Sequence, residues 1–412
     1  MQAIAVCMLL VLALAAPNAA FSGDKKKDKD KKNLVEDTPT AKYLKSLDYS
    51  KLVWPNPPSV PRVRYIRYLI GEKFVPKGGQ QKQKVSWLDR LSGAATGGTP
   101  ADEKLRFQLV TPYGVASDSK GLVYAADSKV RAIFIFNTET DEVQLIKNGV
   151  EARFKWLTGL VIDDADYMYA ADAGMQRILV FDPQRKVQAQ ITEGVVSPGG
   201  MAIDNENRFL YVADAELDQV LVYDADPPYK LLRRIGKPDK EHRLTGPGEF
   251  SRPTNVAVDK EGNLFVSDTW NDRVEVFDAD GNFIRAFGKP GDGPGYFARP
   301  KGIGIDCDGH VWVADSVQDR IQAFTPEGRL LIYIGGTGLL PGQFRSVAGL
   351  TVDRHNRVIT SEQFPGRVQV FRYVTDEEAK TERDRRNEEL KQKKASGASA
   401  QNSGANQSQP KP

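Results

Sequence analysis

The chain holds only two cysteines and three histidines in 412 residues, and its formal charge is no more than +3. Each shortage excludes something. Cys7 lies in an apolar N-terminal run and Cys307 in the turn Asp306-Cys307-Asp308-Gly309. No internal disulfide framework is therefore available, and a large buried core must hold the fold. His242, His310 and His355 fall in separate segments, with no two at metal-ligand spacing on one element. The lysine-rich stretch 24–33 and the tail from 375 carry the net positive charge, which leaves the body near neutral. Such a body has little bulk attraction for nucleic acid or anionic membrane. No apolar run is long enough for a comfortable membrane span. The longest, residues 3–16, suits the core of a signal peptide, although neither Lys nor Arg precedes it. Residues 1–22 are therefore expected to be an export signal ending near Ala20-Phe21-Ser22, and the protein to be periplasmic or extracellular. A Gly-x-Ser-x-Gly elbow is missing, and so is helical periodicity between residues 105 and 373.

What is present is a repeat. Six times the chain returns to an apolar strand ending in Asp, a turn, an apolar strand ending in a small residue and an acid, another turn, and a third apolar strand. The first strands end at Asp118, Asp163, Asp204, Asp259, Asp306 and Asp353. The second end at Asp127, Asp172, Asp214, Asp268, Asp315 and Glu362, spaced on the scale of one four-stranded propeller blade. The third strands, from AIFIF (132–136) to RVQVF (367–371), alternate as half-buried strands do. Turn residues such as Glu261-Gly262-Asn263 and Asp280-Gly281-Asn282 separate them. Fourth strands are legible at 143–146, 231–236, 283–288 and 330–335.

The sixth repeat has no fourth strand of its own. Arg62–Gly71 resembles the other fourth strands and, like three of them, ends in Gly. The expected architecture is all-β: a six-bladed β-propeller over 62–374 whose last blade is completed by this N-terminal strand, which leaves no unprotected sheet edge. Around it lie a polar leader and Pro-rich approach (23–61) and an insertion before blade 1 (77–104) with Trp87–Leu91 as a short helix. A charged tail (375–412) follows, helical to 394 and disordered beyond.

The segments 251–278 and 298–324, each led by Gly-Pro-Gly-x-Phe (246–250, 293–297), resemble the NHL repeat family. The resemblance covers roughly 105–374. It is weaker in repeats one to three, which lack the Gly-Pro-Gly lead, and the sixth has Glu362 for Asp. It implies the propeller fold with high specificity. For function it implies little, because NHL propellers include receptor outer domains, RNA binders and a peptide-amidating lyase. The lyase would need a zinc site of several histidines, which this chain does not offer.

In a propeller, the loops entering the first strands and those joining second to third strands share one face around the channel. On that face the candidate ligand-binding residues are Tyr113, Trp156, Thr158, Arg252, Asn255, Trp270, Arg299 and Lys301. Aromatic rings beside cations and an amide suit a polar or peptide-like ligand. Equally, Arg252-Pro253 and Arg299-Pro300 are positions that a repeat fixes, and the aromatics are of the kind that packs between blades. Asn255 replaces the Gly of the other five repeats, either tolerating a positive φ or pointing an amide into the channel. The recurring pairs Asp172/Arg177, Asp268/Arg273, Asp315/Arg320 and Glu362/Arg367 read as structural, and the acids ending the first strands as caps of their own turns. No catalytic residue, metal or cofactor is assigned. The expectation is an exported, monomeric binding or scaffolding module for a protein, peptide or glycan, with no nucleic acid and no transmembrane span. The alternative is an exported metal-dependent lyase or hydrolase with its site in the channel.

Overall fold

The computed structural model describes residues 47–71, 107–149 and 152–404. The expected export signal, most of the leader and the 77–104 insertion with its short helix lie outside the described residues. Six antiparallel sheets form the blades. Blade 1 is β3 (Pro112–Ser117), β4 (Val123–Asp127), β5 (Ala132–Phe136) and β6 (Val143–Ile146). Blade 2 is β7 (Leu157–Ile162), β8 (Met168–Asp172), β9 (Arg177–Phe181) and β10 (Val187–Ile191). Blade 3 is β11 (Pro198–Asp204), β12 (Phe209–Asp214), β13 (Gln219–Asp224) and β14 (Leu231–Ile235). β15 (Asn255–Val258), β16 (Leu264–Asp268), β17 (Arg273–Phe277) and β18 (Phe283–Phe287) make blade 4. β19 (Pro300–Ile305), β20 (Val311–Asp315), β21 (Arg320–Phe324) and β22 (Leu330–Gly335) make blade 5.

Blade 6 has three strands in sequence, β23 (Val347–Val352), β24 (Arg357–Glu362) and β25 (Arg367–Tyr373). Its fourth is β2 (Val63–Leu69), antiparallel to β25 from Val63↔Tyr373 to Leu69↔Val368. The expected closure is therefore what the chain does. The Pro-rich approach adds a fifth strand that the sequence pattern did not signal, β1 (Val53–Trp54), paired to β2. Trp54 meets Phe371 edge to face, so a segment read as a mere approach is packed into the last blade. β10 was also missed, because Val-Gln-Ala-Gln-Ile on an outer edge is half polar.

The first strands stand side by side around the channel, and β23 of the last blade packs against β3 of the first. Between each pair of neighbouring blades lies one apolar cluster, six in all among the described residues. Fully buried rings such as Phe134, Phe181, Phe250, Phe297 and Phe344 fill them. Each such ring contributes about 1.5–3 kcal/mol of burial.

The Gly-Pro-Gly-x-Phe lead, with its variant Leu340-Pro341-Gly342-Gln343-Phe344 before the sixth repeat, can now be read physically. Gly248 N–H donates to Glu275 (2.9 Å), Gly295 N–H to Gln322 (2.8 Å) and Gly342 N–H to Gln369 (2.9 Å). These three acceptors occupy the middle of the third strands, where the repeats without the lead carry buried Phe134, Leu179 and Leu221. The lead's phenylalanine then covers the glycine closing the fourth strand. A Cβ on Gly288 or Gly335 would lie 2.4 or 2.3 Å from Phe297 or Phe344, and both glycines have positive φ.

A helix, α1 (Asp376–Gly404), follows β25 and runs ten residues past the expected end at 394. Ala395, Ala398 and Ala400 favour its continuation. The disorder expected from 395 is therefore not found as far as 404, and residues 405–412 lie outside the described residues. No described helix is long and apolar enough to cross a membrane.

Candidate functional site

The upper face of the ring is the one where the first strands begin and the second strands turn into the third. Buried acids shape it. Asp127 accepts the amides of Val110 (2.6 Å) and Thr111 (2.8 Å), Asp172 those of Lys155 and Trp156, and Asp214 those of Val196 and Ser197. Asp268, Asp315 and Glu362 hold Ser251, Ala298 and Arg345 in the same way. The closing acids therefore clamp the loops of the upper face, which is a scaffold role repeated in every blade. The expected acid–arginine pairs form in two of four hairpins, Asp268–Arg273 (2.9 Å) and Glu362–Arg367 (2.7 Å). Arg177 bonds Gln190 and the Arg153 carbonyl instead, and Arg320 bonds the Asp292 carbonyl. The acids ending the first strands do cap their own turns, as with Asp118 and the amides of Lys120 and Leu122.

Inside this frame, each blade sends one residue to the channel mouth. Tyr113, Thr158, Gly199, Thr254, Lys301 and Ala348 all line a cavity of about 200 Å³. One residue further along each strand lies a second ring, Gly114, Gly159, Gly200, Asn255, Gly302 and Gly349. Here neighbouring backbones nearly touch: a Cβ on Gly159 would sit 2.1 Å from the Gly199 carbonyl oxygen. Asn255 does not have positive φ. It lines both the upper cavity and the channel below, so its amide stands at the partition between them, with Gly200 and Gly349. The lower channel holds about 300 Å³ and is walled by the first strands down to Asp118 and Asp353.

The structure sorts the eight candidate residues into three places. Tyr113, Thr158, Asn255 and Lys301 share the central cavity. Thr158 donates its hydroxyl to the Pro198 carbonyl at 2.6 Å. Lys301 has no hydrogen bond or ion pair among the described residues, and burial, reinforced by Arg299, pushes its ammonium below the usual lysine range. Arg252, Trp270 and Arg299 form one rim cluster. The guanidinium groups lie 5.0 and 5.8 Å from the indole centroid, and Arg299 pairs with Asp272 at 3.1 Å. Trp156 stands apart at the mouth of blade 2, with 49% of its surface exposed. Trp270 and Phe364 are exposed to a similar degree, so these rings do not pack between blades.

Sequence reasoning missed Arg345, which lies 5.8 Å from the Phe364 ring in a second rim pair. It also missed how charge is distributed. The segments that open the first strands and turn from second to third carry Lys129, Arg131, Arg153, Lys155, Arg252, Arg299, Lys301 and Arg345. Against them stand Glu216, Asp272, the buried Asp218, bonded to Arg252 N–H, the buried Asp319, bonded to Ser346 N–H, and the six buried closing acids described above. The body is near neutral, yet the charge this face exposes is mostly basic, because most of its acids are buried against backbone amides. The sum over the chain hid it.

On the lower side, Asp306, Asp308 and His310 bring possible ligand atoms within 4.8 Å of one another. They are already engaged. Asp306 accepts from Trp312 (2.8 Å), while Asp308 accepts from the Tyr373 hydroxyl (2.7 Å) and the Asp376 amide (2.8 Å). Burial disfavours the charged His310, but Asp306, Asp376 and Asp308 outweigh it and raise its pKa. The group fastens the start of α1 to blades 5 and 6.

Residues 248–324 match the sequence model of a family described as 6-bladed beta-propeller. With six sheets closed in a ring, that decides the class. The chain is a six-bladed β-propeller. Protein lin-41 of Caenorhabditis elegans is 50% identical over 40 residues, which are 10% of this chain and 4% of that protein. The chain thus spans only a small fraction of the curated relative it matches. A structural genomics protein of unknown function from Bacteroides thetaiotaomicron superposes with a TM-score of 0.51 at 15% identity, over 64% of this chain and 70% of that one. The gluconolactonase of Xanthomonas campestris gives a TM-score of 0.49 at 17% identity, over 65% and 89% of the two chains. Virginiamycin B lyase from Staphylococcus aureus gives 0.48 at 13% identity, over 64% and 96%. Such identities speak to fold alone.

Proposed function

We propose that this chain is an exported NHL-type propeller that serves as a binding module, taking a protein or peptide partner on its upper face. The observation that carries the reading is the contrast within the channel wall. Scaffold residues recur from blade to blade, whereas the six residues at the mouth are of five types and meet in one cavity. Half-exposed Trp156, Trp270 and Phe364 surround it, two of them stacked with arginines. Rigid aromatics beside cations are the kind of group that anchors interfaces. The NHL-like segments at 251–278 and 298–324 and the short lin-41 match support the family assignment. The apolar run at 3–16 supports export. Photo-cross-linking tests the proposal. A cross-linking residue at Trp270 should capture a defined partner from the envelope or secreted fraction, and one at His355 on the lower face should not. Equal labelling from both faces, or none from Trp270, would overturn the reading.

A further inference from the structure

The upper cavity contains one charge, and no acid stands in its lining. Of the residues that line it, only Lys301 is ionised, and the others are Tyr113, two threonines, Ser197, Asn255, Pro198, glycines and alanines. The acid that acts on it electrostatically, Asp315, makes no ion pair with it and already accepts the amides of Ala298, Val317 and Gln318. No lysine occupies this place in any other blade, and the repeat does not require one. Ala348 and Gly199 serve equally well in the ring. A partly desolvated ammonium without a counter-ion costs stability, and an arriving anion offsets that cost.

We infer that the cavity is an anchor site for a carboxylate, carried by an acidic side chain or by the C-terminus of a bound peptide, with Lys301 as its counter-charge. This rests on the binding-module reading and names the chemistry of what binds. Size and shape limit the choice. About 200 Å³ closed below by Gly200, Asn255 and Gly349 takes one short acidic group and leaves little room for a nucleotide. Trp270 already has two arginines against its ring, which leaves less of it for a stacked base. The surrounding basic face draws acidic segments toward the mouth. The Asn255 amide and the Tyr113 hydroxyl, which has no partner among the described residues, can donate to the second carboxylate oxygen.

The test uses the whole protein with its lysines reductively 13C-methylated. One methyl-lysine resonance, absent from Lys301→Met, is expected to shift with acetate and with N-acetyl-aspartate amide but not with N-acetyl-asparagine amide. Its titration midpoint should rise as the carboxylate binds. Peptides with an internal Asp or Glu, and peptides ending in a free acid or an amide, then separate side chain from terminus. Either source should lose at least tenfold in affinity in Lys301→Met and recover in Lys301→Arg. Indifference of the Lys301 resonance to every carboxylate would overturn the inference. So would an oligouridine that binds the face as tightly to Lys301→Met as to the native protein. If Trp270 cross-links a partner whose affinity ignores Lys301, the anchor fails and the binding module stands. If carboxylates move Lys301 while no partner is captured, the anchor stands and the module reading fails.

Discussion

Where the first strands end, on the lower side, every blade presents the same residue, an aspartate whose carboxylate accepts amides of its own turn. Where they begin, six blades present Tyr113, Thr158, Gly199, Thr254, Lys301 and Ala348. The two ends lie on the same strands and share the same neighbours, so packing alone does not explain the difference. A residue needed to build a blade must recur in each one. A residue free to differ is available for something else, and here the free positions converge on one cavity. Between the two ends lies a ring of glycines interrupted once, by Asn255, where backbone contact allows almost no side chain.

Substitutions can break this division, and the largest effect is expected at the scaffold acids. Glu362→Ala removes the acceptor for Arg345 N–H and leaves Arg367 buried without its carboxylate. A loss of about 3–5 kcal/mol is expected, read from the urea midpoint. Next comes Gly159→Ala, which places a methyl against the Gly199 carbonyl and should cost about 1–3 kcal/mol by the same measurement. Smaller is Glu275→Gln, which gives blade 4 the residue used in blades 5 and 6. Burial pushes the Glu275 carboxyl up to about 7, with Arg273 opposing. Because the folded state holds that proton more tightly, its stability contribution is complete below the ordinary value of 4.5 and is lost as pH rises toward 7. The glutamine variant should therefore gain on the native protein between pH 5 and 8, by on the order of 1 kcal/mol, in thermal melts at each pH. Smallest in stability are Lys301→Met and Trp270→Ala at the upper mouth. Both should melt within about 0.5 kcal/mol of the native protein while partner capture is lost. A large destabilisation by either would place these residues with the scaffold and erase the contrast.

The fold was legible because a blade repeats its turn chemistry and its strand period, so even a divergent repeat with Glu362 stays in register. Closure by β2 was legible because Arg62–Gly71 copies a fourth strand. β10 and β1 were not, since a half-polar edge strand and two residues among prolines carry too little pattern. The cavity was half visible. Aligning the six first strands puts Tyr113, Thr158 and Lys301 at one position and exposes Asn255 as an exception, but only the structure shows that they share a cavity that Trp156 does not line. The pairing of the Gly-Pro-Gly lead with Glu275, Gln322 and Gln369 sits in the sequence about 27 residues apart, and only the hydrogen bonds give it meaning.

The pairing of β2 with β25 also fixes how the ring answers to force. Val63 and Tyr373 face each other at the end where both segments leave the blade, so tension applied through the Pro-rich approach and α1 unzips the pair from that end. Arg62 guards the opening. It bonds the Val374 carbonyl, shares Asp376 across the gap and accepts Val374 N–H at its own carbonyl. This clasp at the first tooth of the zipper, together with the β1–β2 pairing and the Asp308 anchor of α1, resists the opening of the circle.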